Sequence, residues 1–397
     1  MSEPGSVAGV DAMPGAGPPA AGGETAAARK RQRIGFFLAT SGHSGVDRIM
    51  RNLIPAIAAR GYAVDLLHVR GHGPVLDETP DNVRVVDLGS GHVYTCLPAL
   101  IRYLRRERPA ALLSDKDRVN RTALVGCALS RMPVRLVLRT GTTVSHNLAG
   151  RGAIERRLQR FSMRHLYRYG YATVVPSCGA ADDLARYAGI DRRHIQVLPS
   201  PVVTDRLYSD ALTGVEHPWL QARHCPVILG VGELSRRKDF ATLIRAFAEL
   251  RRRRAARLII LGRGRQADAL RRLTRDCGVA ADVDLPGFDP NPYRFLARAD
   301  LFVLASRWEG MPVALIEAVA LGTPVVATDC PSGPREILRG GRYGPLVPVG
   351  DAAALASAMG EVLDHPLPKE QLQEAVVAYH VDRSAGAYLA AMGFPGR

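Results

Sequence analysis

The sequence predicts an α/β protein built of two parallel-sheet domains that face each other across a central cleft. Three observations lead there. Short apolar runs of strand length alternate with helical stretches along most of the chain, and strands that alternate with helices build parallel sheets. At 397 residues the chain is long for one domain and comfortable for two, each with its own core. A proline-containing stretch over residues 199 to 226, with Pro199, Pro201, Pro218 and Pro226, separates the two series of strands. The expected organisation is a tail over 1–32, a first domain over 33–200, a linker over 201–226, a second domain over 227–375, and a terminal segment over 376–397.

Residues 1–32 are rich in Gly, Ala and Pro, with Arg29, Lys30 and Arg31 at their end. They lack the apolar stretch of a signal peptide and read as a disordered tail. Ile34 to Ala39 then reads as a buried strand, and a helix from about Val46 to Arg60 follows, with Pro55 marking a kink. The turn between them, Thr40-Ser41-Gly42-His43-Ser44-Gly45, has two readings. Gly42 and Gly45 let backbone amides approach a phosphate, or they only allow a sharp turn. Further strands are expected at Ala63–Val69, Val83–Asp87, Ala110–Ser114, Arg135–Leu138 and Thr173–Pro176, with helices over Leu97–Glu107 and Arg121–Ser130 among them. The loop Arg139 to Asn147 follows a strand end and so faces the cleft. From Ala153 to Tyr169, Arg156, Arg160, Arg164 and Arg168 fall four apart, beside Ile154, Leu158 and Phe161. That pattern is an amphipathic basic helix, either a solvated face or a seat on an anionic membrane surface. The second sheet begins at Val227.

Composition bounds what the cleft serves. With 47% hydrophobic and 23% charged residues the chain reads as globular, and no apolar run approaches the roughly 18 residues of a membrane span. The net charge of +15 favours an anionic partner: a phosphorylated ligand, a membrane surface or nucleic acid. No nucleic-acid-binding module or zinc pattern accompanies that charge, so nucleic acid is not an expected partner. Six scattered cysteines without a CxxC pair suggest neither a zinc site nor a disulfide framework, which fits a reducing cytoplasm. Asp115-Lys116-Asp117 and Asp282-Val283-Asp284 are the closest approaches to a metal motif; both are read as chance, and no metal is expected.

The most informative stretch runs from Leu301 to Leu338. Leu301–Leu304 reads as a strand, Pro312–Leu321 as a helix ended by Gly322, and Val325–Ala327 as the next strand, one βαβ unit. The helix has no polar face, and Glu317 is its only charge. A carboxylate carried inside an apolar helix costs several kcal/mol, on the order of any buried polar group left unpaired, so Glu317 requires a partner. A buried Arg or a ligand would serve. Glu309 lies eight residues earlier, in the loop between strand and helix, either solvated or facing the binding crevice.

Glu309, seven residues and Glu317, within SRWEGMPVALIEAVALGTPVVATDCPSGPREIL, resemble the signature of the retaining glycosyltransferases of family 4. The resemblance is strong over about residues 227 to 340, through Val231-Gly232-Glu233-Leu234, Lys238-Asp239-Phe240, Leu261-Gly262-Arg263-Gly264 and Asn291-Pro292-Tyr293, and holds only in outline before them. It implies the two-domain GT-B fold, with the segment 376–397 crossing back onto the first domain, and a nucleotide-sugar donor, UDP-linked, with a glycan or lipid-linked acceptor in polysaccharide or lipopolysaccharide assembly. It further implies that Glu309 and Lys238 act on the transferred sugar and the leaving diphosphate. Family members carry an Arg where this chain has Glu233, and Arg236 or Arg237 compensates. Glu317 would hold the ribose hydroxyls. Gly42, Gly45, Gly232, Gly264, Phe288, Gly310, Met311, Pro312 and Val313 would line the donor site. His146 or His43 would contact the donor sugar. The family is metal-independent, so no cofactor is expected beyond the nucleotide-sugar co-substrate. A nucleotide-sugar epimerase or a phosphorylase on the same fold is the alternative.

Overall fold

The computed structural model describes residues 32–42 and 44–395. Apart from Gln32, the expected tail lies outside the described residues, and so does His43.

The first domain is a seven-stranded parallel sheet. Strand β1 (Arg33–Phe37) leads into helix α1 (Gly45–Ala59), then β2 (Ala63–His68), β3 (Val83–Asp87), α2 (Leu97–Glu107), β4 (Ala111–Asp115), α3 (Asp117–Ser130) and β5 (Arg135–Arg139). Helices α4 (Val144–Leu148) and α5 (Ala153–Leu166) precede β6 (Ala172–Val175), and α6 (Cys178–Ala188) precedes β7 (Ile195–Val197). The order is β3-β2-β1-β4-β5-β6-β7, so the winding reverses between β1 and β4. Helix α3 starts four residues before the expected Arg121, because Lys116 takes a positive φ of 74° and turns the chain directly into the helix at Asp117. Strand β7 is not evident in the sequence, since three residues with an exposed Gln196 at their centre carry almost no periodicity.

Two short helices, α7 (Asp205–Ala211) and α8 (Pro218–Gln221), lie within the stretch read as a linker. They are not a loose connection: Val202, Val203, Leu207, Ala211, Val215 and Leu220 are buried in the core of the second domain. That domain continues through β8 (Val227–Val231), α9 (Phe240–Arg251), β9 (Arg257–Leu261), α10 (Ala267–Asp276), β10 (Val283–Gly287), α11 (Tyr293–Leu296) and β11 (Leu301–Leu304). It closes with α12 (Val313–Leu321), β12 (Val325–Thr328), α13 (Pro334–Ile337), β13 (Leu346–Val347), α14 (Ala352–Asp364) and α15 (Lys369–Glu374). The sheet order β10-β9-β8-β11-β12-β13 again reverses, here between β8 and β11. In open parallel sheets such reversals open a crevice at the carboxyl ends of the strands, and the two crevices face each other.

The chain crosses between domains twice, side by side. Val202 and Val203 donate to the Tyr379 carbonyl, and Val381 donates back to that of Val203. The last helix, α16 (Val381–Ala391), then lies on the first domain. Its Ala385, Tyr388 and Leu389, with Met392 and Phe394, join Ile34, Phe36, Leu53 and Ile57 in one core.

Helix α12 has no hydrophilic face because it has no solvent face: its residues from Leu315 onward are buried. Pro312 caps its start in an extended conformation, and Gly322 ends it at φ 78°, a left-handed cap that favours glycine. Burial of this helix fixes the loop that precedes it, which carries Glu309.

Candidate active site

Glu309 sits where the loops after β8 and β11 of the second domain converge. The loop after β8 brings Lys238, whose Nζ donates to Glu309 Oε1 at 2.6 Å, and Arg237, whose Nη1 donates to Oε2 at 2.8 Å. Ser306, after β11, donates its hydroxyl to Oε1 at 2.7 Å. Gly232 is needed for this arrangement: a Cβ there would lie 2.9 Å from Lys238 Cε. Glu309 is only 3% exposed. Burial would raise its carboxyl, but the positive charges of Lys238 and Arg237, with hydrogen bonds from Lys238 and Ser306, outweigh burial and hold it below the ordinary carboxylate range. Of the two arginines expected to replace the cation missing at Glu233, Arg237 turns inward and Arg236 is exposed. The resulting group is one carboxylate and two cations, with Glu309 and Lys238 buried and Arg237 partly exposed.

The loops around this centre leave little room. Gly264 is close under its neighbour, where a Cβ would meet the Leu234 carbonyl at 2.4 Å, and the Arg263 guanidinium lies 5.0 Å from the Phe288 ring centre. The backbone after Glu309 is clamped by hydroxyls from both domains. Thr143 donates to the Glu309 carbonyl, as does Ser332 at 2.6 Å; Ser177 donates to the Gly310 carbonyl at 2.7 Å. Glycine is obligatory at 310, since a Cβ would meet the Gly141 carbonyl oxygen of the other domain at 2.3 Å. Met311 is buried in the core, Pro312 packs on Gly333, and Val313 faces Gly45. His146 stacks across the cleft on Trp308, with ring centres 6.0 Å apart and planes at 20°. A single half-buried Trp in a loop leaves no periodic mark in the sequence.

Glu317 is fully buried and finds its partner in the first domain: Arg48 Nη1 donates to Oε1 at 2.5 Å. The Arg48 guanidinium lies 5.4 Å from the centre of the Tyr293 ring. Burial, and after it the negative charge of Glu317, raises the Tyr293 phenol.

The glycine turn is held from within by a side chain of the following helix. Asp47, in the first turn of α1, folds back on it: the amides of Gly42 and Ser44 donate to its two carboxylate oxygens at 3.2 and 2.7 Å, and Thr40 donates as well. Ser44 caps the helix in return. Of this turn, the amides of Gly42 and Ser44 are therefore engaged by the Asp47 carboxylate. The paired aspartates are engaged too, Asp115 by Arg139, Asp117 by Arg121, Asp282 by Arg257 and Asp284 by His217.

Two Rossmann-like parallel-sheet domains with facing crevices are the architecture of a GT-B glycosyltransferase. The family model for Glycosyltransferase Family 4 matches residues 43–206 and that for Glycosyl transferases group 1 matches residues 225–365, and the chain belongs to this family. Among relatives, N-acetylgalactosamine-N,N'-diacetylbacillosaminyl-diphospho-undecaprenol 4-alpha-N-acetylgalactosaminyltransferase of Campylobacter jejuni is 26% identical over 84% of this chain and 90% of its own length. The lipopolysaccharide core biosynthesis glycosyltransferase LpsE of Rhizobium meliloti is 33% identical over 43% of this chain and 48% of that protein. Sucrose-phosphate synthase from Thermosynechococcus elongatus shares the fold with a TM-score of 0.75 and 19% identity, covering 90% of this chain and 97% of that one. Anabaena Alr3699/HepE, solved with UDP and glucose, superposes with a TM-score of 0.73 at 17% identity, covering 91% of this chain and 99% of that one.

Proposed function

We propose that this chain transfers a hexose-type sugar from a UDP-sugar, with retention at the anomeric carbon and without a metal ion, to a glycan or lipid-linked acceptor in surface polysaccharide or lipopolysaccharide assembly. The observation that carries this reading is the Glu309–Lys238–Arg237 cluster at the mouth of the second crevice. Lys238 and Arg237 take up the charge that develops on the departing diphosphate, the task a divalent cation performs elsewhere. Glu309, released from them, accepts hydrogen bonds from the sugar, and Glu317 accepts from the ribose. Among the described residues no second carboxylate is paired with Glu309 or its two cations, so the proposed mechanism does not use the double-displacement route of glycosidases. The acceptor oxygen instead attacks on the face the diphosphate leaves, and its proton passes to the leaving phosphate oxygen. The UDP in the Anabaena neighbour and the lipid-linked and lipopolysaccharide acceptors in the names of the relatives support the choice of donor and acceptor.

The test is a melting series with UDP-glucose, UDP-galactose and UDP-N-acetylglucosamine, followed by proton NMR of the transfer product. One donor at a hundredfold excess over its Kd is expected to raise the melting temperature by roughly 3 °C. That donor should give an α-linked product at a rate unchanged by EDTA. A β-linked product, or activity lost in EDTA and restored by magnesium, would overturn the reading.

A membrane-facing acceptor side is part of the same proposal. Among the described residues no helix is long and apolar enough to cross a bilayer. Helix α5 buries Gln159, Ser162 and Met163, and leaves Ile154, Leu158 and Phe161 at 77%, 57% and 61% exposed. Arg156, Arg160 and Arg164 on the helix and Arg168 just beyond it are exposed around them. Apolar side chains turned outward beneath a basic stripe suit insertion among anionic headgroups better than solvation. Flotation with vesicles containing 30% phosphatidylglycerol should recover the protein, and replacing the four arginines by glutamine should abolish recovery. Equal flotation of both would leave the helix without this role.

A further inference from the structure

The Arg48–Glu317 pair joins residues 269 apart in the chain and belongs to neither domain alone. Helix α1 of the first domain supplies the guanidinium; the fully buried helix α12 of the second supplies the carboxylate. The position of Arg48 is fixed from behind. Asp47, next to it, is held by Thr40, Gly42 and Ser44, so the first turn of α1 has little freedom. In front, Tyr293 of α11 lies beneath the guanidinium. The pair uses only half of the carboxylate. Glu317 Oε2 is buried and makes no hydrogen bond of good geometry among the described residues, although the Tyr293 phenol stands beside the carboxylate as a neighbouring donor. A buried carboxylate oxygen left in that state is costly, and a donor group from a ligand would relieve it.

The geometry points to Arg48 as a positioning residue of the donor site, reaching across the cleft to hold Glu317 through Oε1 so that Oε2 is presented to a ribose hydroxyl. This rests on the reading of Glu317 as the ribose-binding carboxylate, and adds that the donor site is complete only while the first domain is docked. Arg suits the task better than Lys, since its planar, weakly hydrated guanidinium combines a directed donor with stacking on Tyr293. Arg48 touches no reacting atom in this scheme. It acts through Glu317, so its loss is read as lost discrimination at the ribose and not as lost chemistry.

The experiment compares the binding of UDP, 2′-deoxy-UDP and 3′-deoxy-UDP by calorimetry to the full chain and to the R48Q, R48K and E317Q variants. A hydroxyl donated to a carboxylate distinguishes ribose from one of its deoxy forms by roughly 10–100-fold in the wild type. In E317Q and R48Q that preference should fall to within about threefold, with R48K in between. Because the preference is a ratio within one variant, partial loss of stability does not move it, and R48M replaces R48Q should the latter not fold. R48Q with the full wild-type preference, beside an E317Q that has lost it, would overturn the role of Arg48 and leave the ribose reading standing. A wild type that binds UDP without preference over either deoxy form, or fails to bind UDP, would overturn the ribose reading and this assignment with it.

Discussion

Glu309→Gln is expected to lower the rate of sugar transfer by about 10²–10³ while leaving UDP binding intact or tighter, the magnitude being that of removing one preorganised electrostatic contact. The split follows from the site as it stands without ligand. Lys238 and Arg237 both donate to the Glu309 carboxylate, so an arriving diphosphate competes with Glu309 for them. A neutral amide competes less well, and both cations become available. The variant therefore keeps the affinity of the donor pocket and loses the acceptor for the sugar hydroxyls. Calorimetry with UDP and a coupled assay of UDP release separate the two effects, and a fully active Glu309→Gln enzyme would remove Glu309 from the mechanism.

Lys238→Met is expected to fail in the opposite pattern, with UDP affinity and kcat falling together. In the proposed mechanism the ammonium offsets charge on the diphosphate in both the bound state and the transition state, and a loss of about 10²–10³ in kcat is the expected scale. It also leaves Glu309 buried with one cation in place of two. Breaking a buried pair from one side costs about 3–5 kcal/mol when nothing replaces the partner, and the remaining Arg237 bond should keep the loss below that range. Adding Glu309→Gln to Lys238→Met should then raise the melting temperature above that of Lys238→Met alone, because no uncompensated charge remains. A double variant that melts lower than either single would mean that the two residues do not share one electrostatic balance.

The sequence made the alternation of strands and helices legible because buried parallel strands leave short apolar runs and the glycines that end helices leave marks of their own. It also showed that Glu317 needed a partner, since no polar neighbour exists on its helix. It could not show that the partner is Arg48, because a contact between two domains has no local period and one Arg among so many carries no signal. Asp47 was hidden for another reason. The turn of Gly42 and Gly45 has the composition of an anion cradle, and whether a ligand or a neighbouring side chain fills it depends on where α1 begins. The stretch 201–226 was read by its prolines, while its burial is decided by Val203, Leu207 and Leu220 spaced too far apart to show a face. Trp308 and His146 become a pair only once the domains close on each other.

Helix α16 bears on how the protein is made. The core shared by β1 and α1 is finished by Tyr388, Leu389 and Phe394, which are synthesised after the whole second domain. A domain that emerges first would ordinarily fold first on the ribosome. Here the face of the first sheet beneath α16 stays uncovered through the synthesis of the second, and the nascent chain carries that apolar surface until its partner emerges. The half of the molecule that is translated first is thus the half that is completed last.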